Sequence, residues 1–208
     1  MEPKESAGTG CRHLSTFVNG RGRTYLEDND IRGFLDGRFK WGWNQASQTK
    51  VRLGRDRSSI RPPQYGEDEL FRVLHRWSGI ELPPGSDVTG ARLRLHAGGP
   101  LEEQRRIYLY AVRRDWNPGG GGVREDNVSV PREGEVWWGD ARHGREPWGL
   151  PGAGFAAAGH PEADTDAEPL AVSSCPAGTH VIDFEGERLA RHVDDVLGDG
   201  RPLLFLLK

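Results

Sequence analysis

Three groups of side chains in this 208-residue chain could do chemistry by type and spacing. Trp41-Gly42-Trp43-Asn44-Gln45 sets two indoles on one side of an extended segment and follows them with two amides. Sugar rings stack their apolar faces on indoles while neighbouring polar groups take the hydroxyls. Trp41, Trp43 and Asn44 therefore form a candidate glycan platform, and packing of both indoles against the core or a sheet edge is the competing reading. Glu27-Asp28-Asn29-Asp30 offers four oxygen-bearing side chains in a turn-like stretch before Gly33. Calcium takes about six to eight hard oxygen ligands, often from such loops, so Glu27, Asp28 and Asp30 are candidate Ca2+ ligands against the alternative of a solvated turn. The third group is Arg92 and Arg94, with Arg105, Arg106, Arg113 and Arg114 on neighbouring strands or their ends. Guanidinium forks fit carboxylates, sulfates and phosphates. Arg92 and Arg94 on one outer face would make a basic stripe for an anionic polysaccharide or an acidic protein surface, unless they are only the solvated side of a sheet.

Other chemistries lack their residues. Seven histidines, at positions 13, 75, 96, 143, 160, 180 and 192, show no zinc-ligand spacing, and no Cys-x-x-Cys or His-Glu-x-x-His is present. No Gly-x-Ser-x-Gly elbow occurs, and no paired acid and base suited to a lyase or hydrolase can be assembled. The run Gly119 to Gly122 lacks a following Lys-Ser/Thr and opens onto Val123-Arg124-Glu125-Asp126, so it reads as a flexible loop rather than a phosphate cradle. A net charge of −3 gives no general attraction to nucleic acid or an anionic membrane. The longest strongly apolar run, Leu203 to Leu207, is far below the ~20 residues of a membrane helix. Cys11 and Cys175 read as free thiols, with a disulfide between them as the alternative. Met1-Glu2-Pro3-Lys4-Glu5 has no apolar segment of a signal peptide. The expected location is the cytoplasm or an assembled particle, unless a leader was removed.

The elements that must position these groups are mostly strands. Gly and Pro number 29 and 14, too many helix breakers for an all-α protein, while seven Trp, seven Phe and four Tyr supply a core. Ala91 to Leu95 alternates, with Ala91, Leu93 and Leu95 inward and both Arg outward. Leu70–Trp77 and Ile107–Val112 read as longer strands, the latter apolar on both faces. Shorter candidates are Ser15–Val18, Val51–Leu53, Val136–Trp138, Leu170–Ser173 and Val181–Phe184. Leu203–Leu207 is apolar throughout, which predicts a central strand paired on both sides and covered on both faces. One helix is expected over Glu187–Leu197, where Leu189, Val193, Val196 and Leu197 share a face; Gly198, Gly200 and Pro202 stop it. These signals predict an all-β antiparallel fold with one short capping helix near the C-terminus. Residues 1–13 are an extension, and residues 14–208 form one domain with long loops at 56–69, 115–135 and 139–179.

Four blocks in order carry a resemblance. They are Leu70–Leu74 followed by Leu82-Pro83-Pro84-Gly85 and Ala91–Leu95; Ile107–Val112 ending in Asp115-Trp116; Trp137-Trp138-Gly139-Asp140-Ala141-Arg142 with Pro147-Trp148-Gly149-Leu150-Pro151-Gly152; and Val181–Phe184, a helix, and Leu203–Lys208. Together they resemble the DNRLRE-type β-sandwich family, which is related to bacterial carbohydrate-binding modules; residues 14–54 fit more loosely. The resemblance implies a jelly-roll-like sandwich of two antiparallel sheets with binding or structural roles and no shared catalytic machinery. It also implies that Trp116, Trp138 and Trp148 pin loops onto the sandwich. Sandwiches of this kind commonly hold a structural Ca2+ between an early loop and a late strand, which adds Asp183 to the candidate ligands. The chain departs from the pattern by insertions at Arg55–Glu69 and Pro118–Glu135.

The functional expectation is a non-catalytic module that binds carbohydrate or a cell-surface polymer. The alternative is a structural or decoration component of a particle, such as a phage head or tail or an injection machine, acting through protein contacts that include those of a homo-oligomer.

Overall fold

The computed structural model describes residues 15, 25–34, 53–56, 69–119, 131–154 and 163–208. Among them the fold is all-β and antiparallel, with a single helix near the C-terminus. The strands are β1 (Tyr25–Phe34), β2 (Gly54–Asp56), β3 (Glu69–Ser78), β4 (Arg92–His96), β5 (Arg105–Ala111), β6 (Asp140–Arg142), β7 (Glu146–Pro147), β8 (Ala171–Cys175), β9 (Val181–Glu185) and β10 (Leu203–Leu207); the helix α1 is Glu187–Gly198. A six-stranded sheet runs β1-β3-β10-β5-β8, with β2 pairing the end of β3 beyond β10. A second sheet pairs β4 with β9.

The apolar strand β10 lies where its sequence demands. Leu206 stands opposite Leu74 of β3 on one side and Tyr110 of β5 on the other, and all five residues are buried. Successive side chains of a strand point to opposite faces, so a strand without polar residues needs two covers. Leu203, Phe205 and Leu207 enter one core, while Leu204 and Leu206 enter another.

The first core is closed by β4, β9 and α1. Leu93 and Leu95 of β4, Ile182 and Phe184 of β9, and Leu189 and Val196 of α1 join Val73, Leu109 and Phe205. Arg92, Arg94 and His96 alternate with those leucines on the exposed side, as the strict alternation predicts. The helix ends in a Schellman motif: Gly200 N–H donates to Leu197 O at 2.9 Å and Arg201 N–H to Val196 O at 3.0 Å. Gly200 adopts φ +67 there, a left-handed conformation that favours glycine.

The second core is closed by irregular chain. Trp116, Val136, Trp138, Ala141, Trp148 and Ala153 come from residues 113–154 and pack on Ile31, Leu74, Tyr110, Val112, Leu204 and Leu206 of the large sheet. The three indoles pin this loop layer: Trp116, Trp138 and Trp148 are all buried. Two local expectations are corrected. Val136–Trp138 is not a strand, because Trp137 N–H turns back to Asp140 O at 2.9 Å and the ladder moves to β6 and β7. Glu27–Asp30 is not a turn but part of β1, whose ten residues all pair with β3. Of the strand expected at Val51–Leu53, Leu53 directly precedes β2 without belonging to it, and positions 51 and 52 lie outside the described residues, as do 16–18 of the Ser15–Val18 candidate.

Candidate functional site

The exposed face of the β4–β9 sheet carries three of the residues singled out above, Arg92, Arg94 and Asp183. Arg92 stands opposite Glu185, Arg94 opposite Asp183, and His96 opposite Val181. Arg94 grips Asp183 as a two-pronged fork, Nε donating to Oδ1 at 2.8 Å and Nη2 to Oδ2 at 2.9 Å. Arg92 Nε donates to Glu185 Oε2 at 3.0 Å. The hydrogen bonds from Arg94 hold the Asp183 carboxyl below its ordinary range, and Arg94 is raised in turn. The expected stripe of bare positive charge is thus a ladder of guanidinium–carboxylate pairs. The pairing follows from register, which sets an acid on β9 directly across from each arginine of β4. Val181, 40% exposed, adds an apolar contact to this polar face.

The acidic run is distributed rather than gathered. Glu27 and Asp28 take opposite sides of β1, and Glu27 Oε2 accepts from Arg76 Nη1 at 2.5 Å. The Asp30 side chain lies outside the described residues. Asp183 belongs to the other sheet, bound to Arg94. Among the described residues no three His, Cys, Asp or Glu side chains form a metal-sized group. Trp41, Trp43 and Asn44, like Cys11, lie outside the described residues; Cys175 is a buried free thiol, 3.3 Å from Ser173 Oγ.

Sequence reasoning missed an ionic chain that fastens the loop layer to the large sheet. It runs Glu27–Arg76–Asp115–Arg142–Glu146–Arg114–Asp164, with links of 2.5 to 3.4 Å. Asp164 is its anchor. Its side chain is buried, accepts from Arg114 Nε, and takes Gly149 N–H at 2.7 Å. Asp140 does the same within the loop layer, one oxygen accepting from Trp137 Nε1 at 2.6 Å and Gly144 N–H at 3.3 Å and lying 3.0 Å from His143 Nδ1. The Trp-Gly-Asp tripeptide and the Asp-Trp dipeptide were visible in the sequence, but the distant partners of Asp115, Arg76 and Arg142, were not.

Also missed was a buried cation. Arg72, only 7% exposed, projects from β3 into the second core. Its guanidinium donates from Nη1 to Gly152 O and lies over the Trp138 ring, 5.1 Å from the centroid. Burial pushes this guanidinium down to about 10, a shift that Tyr110 beside it opposes. Lys208 extends the β10 register to stand across from Arg72, and its backbone pairs in both directions with Tyr108. Burial, then the Arg72 charge, pushes the Lys208 amine down to about 8.

On the opposite side of β3, His75 sits in the first core with Nδ1 unpartnered. Burial lowers it to about 4. His192 of α1 packs its ring 5.9 Å from Phe205, the residue across from His75, and is also lowered, chiefly by burial.

No known family, curated protein or solved structure matches this chain.

Proposed function

We propose that this protein is a non-catalytic module that binds carbohydrate or a cell-surface polymer. The observation that carries the reading is the Arg94–Asp183 fork at the middle of the exposed β4–β9 face. A sugar hydroxyl both donates and accepts, and a fixed guanidinium beside a fixed carboxylate offers it both roles without reorganisation. Arg92 and Glu185 repeat the unit two residues along, a spacing suited to successive hydroxyls of an extended polymer. The DNRLRE-type resemblance supports the same class, and Trp41 and Trp43 provide the stacking groups of this reading.

Binding is tested on immobilised polysaccharides and a glycan array, comparing the wild type with Trp41→Ala, Trp43→Ala and the double variant Arg94→Ala/Asp183→Ala. The reading expects retention by the wild type and at least a tenfold loss in each variant. Equal retention of all four proteins, or none by the wild type, overturns it. The second reading is a particle component. The exposed apolar Val172 and Val181 favour it, on the outer faces of the two different sheets, and it predicts a stable homo-oligomer or a captured structural partner in place of a glycan. Structural Ca2+ predicts a higher thermal midpoint with Ca2+ than with chelator; an unchanged midpoint excludes it.

A further inference from the structure

Two guanidiniums and two carboxylates stand on the exposed β4–β9 face, and their charges cancel. Arg92 and Arg94 line β4, while Glu185 and Asp183 stand directly across from them on β9. Arg92 Nη2 lies 2.8 Å from Glu185 Oε2, and Arg94 holds both oxygens of Asp183. The Asp183 carboxyl is held low first by its hydrogen bonds from Arg94, then by the charges of Arg94, Arg92 and His96. His96 closes the ladder opposite Val181. The four paired side chains are 36% to 61% exposed, so a ligand can reach all of them.

This pairing decides which polymer the face can take. An anionic group seeking a guanidinium must displace the carboxylate already on it. That carboxylate stays within a strand spacing, about 5 Å, as a like charge. Its repulsion offsets the attraction to the guanidinium, since both follow the same distance law. An uncharged hydroxyl needs no such exchange. A guanidinium carries about five donors and a carboxylate about four acceptor sites, and the Arg94–Asp183 fork uses two of each. The remaining donors and acceptors suit a group that is itself both.

We infer that the β4–β9 face selects an uncharged polysaccharide and rejects an anionic one, with Asp183 and Glu185 as the residues that set this selectivity. The selectivity rests on the reading of this face as a polymer-binding surface and adds to it the charge class of the ligand. Neutralising both acids should invert it. In Asp183→Asn/Glu185→Gln the two guanidiniums keep their places on β4 with no acid across from them, and the face becomes a basic stripe suited to sulfates and carboxylates.

Retention of the full chain on matched immobilised polymers tests this. The pairs are dextran against dextran sulfate and hydroxyethylcellulose against carboxymethylcellulose, at pH 8 and constant ionic strength. The wild type should prefer the uncharged member of a pair at least tenfold. The double variant should gain at least tenfold on the anionic members. Exposed ion pairs stabilise little, so its thermal midpoint should match the wild type, and the wild-type comparison stands without it. Wild-type retention on an anionic polymer equal to or above that on its uncharged partner overturns the selectivity and leaves polymer binding standing. A folded double variant that gains nothing on the anionic polymers overturns it as well. A wild type retained by none of these polymers and by nothing on the glycan array overturns the binding reading itself, and the selectivity with it.

Discussion

Asp164 and Asp183 are both carboxylates bound to an arginine, yet they do different work. Asp164 is buried and satisfies Arg114 and the Gly149 N–H at once. Removing one partner of a buried charge pair leaves the other uncompensated, so Asp164→Asn should cost roughly 2–4 kcal/mol in denaturant unfolding. The Arg94–Asp183 pair is exposed on both sides, where ion pairs stabilise little and are screened by salt. Asp183→Asn should leave the unfolding midpoint almost unmoved while altering whatever the face binds. His75 gives a pH signature. Its folded value of about 4 lies below the ordinary 6.5, so between these values the unfolded chain binds a proton that the folded chain refuses. Stability is therefore full above pH 6.5 and falls as the pH drops toward 4, by roughly 3 kcal/mol. Urea unfolding at pH 7 and pH 4.5 measures this, and in His75→Leu the difference should shrink. An equal pH dependence in that variant would contradict the assignment.

At the scale of elements, local pattern was a good guide wherever one segment settles its own burial. The alternation of β4, the helical stripe and glycine stop of α1, and the all-apolar β10 each state their environment within a dozen residues, and each is found where that pattern places it. The loop layer is different. Val136–Trp138 reads as a strand because Val and Trp favour strands, but hydrogen bonds to Asp140 and Gly152 bend it into a covering turn. The acidic run of β1 reads as a turn because its composition is polar, yet pairing with β3 overrides that preference. Leu206 tests the central strand. It is fully buried between Leu74 and Tyr110, and Leu206→Ala should cost about 2–5 kcal/mol, as expected for a core truncation that leaves a cavity. Gly152 tests the clamp between loop and sheet. A Cβ there would lie 2.8 Å from the Trp138 ring and 2.9 Å from Arg72 Nη1, on a backbone with φ +74. Gly152→Ala should lower the thermal midpoint and change tryptophan fluorescence; an unchanged spectrum and midpoint would show that the loop repacks freely.

Across the whole molecule, the large sheet is the spine and its two covers are unlike. One is regular, a strand pair with a helix; the other is tryptophan-rich loop fastened by the Asp115–Asp164 chain of ion pairs. The antiparallel sandwich and its C-terminal helix were legible because burial patterns are local. The partners of Arg92 and Arg94, the fastening of the loop layer and the burial of Arg72 were not, since each joins residues many tens of positions apart: 93 for Arg92–Glu185, 89 for Arg94–Asp183 and 80 for Arg72–Gly152. Register alone sets what stands across from what, and a strand's sequence does not state its partner. On the proposed function, the exposed β4–β9 face binds a polymer through its paired arginines and acids. Retention on immobilised polysaccharide, wild type against Arg94→Ala/Asp183→Ala at matched stability, tests it most directly. The wild type should be retained and the variant released at least tenfold more readily; indistinguishable behaviour of the two would overturn binding through this face.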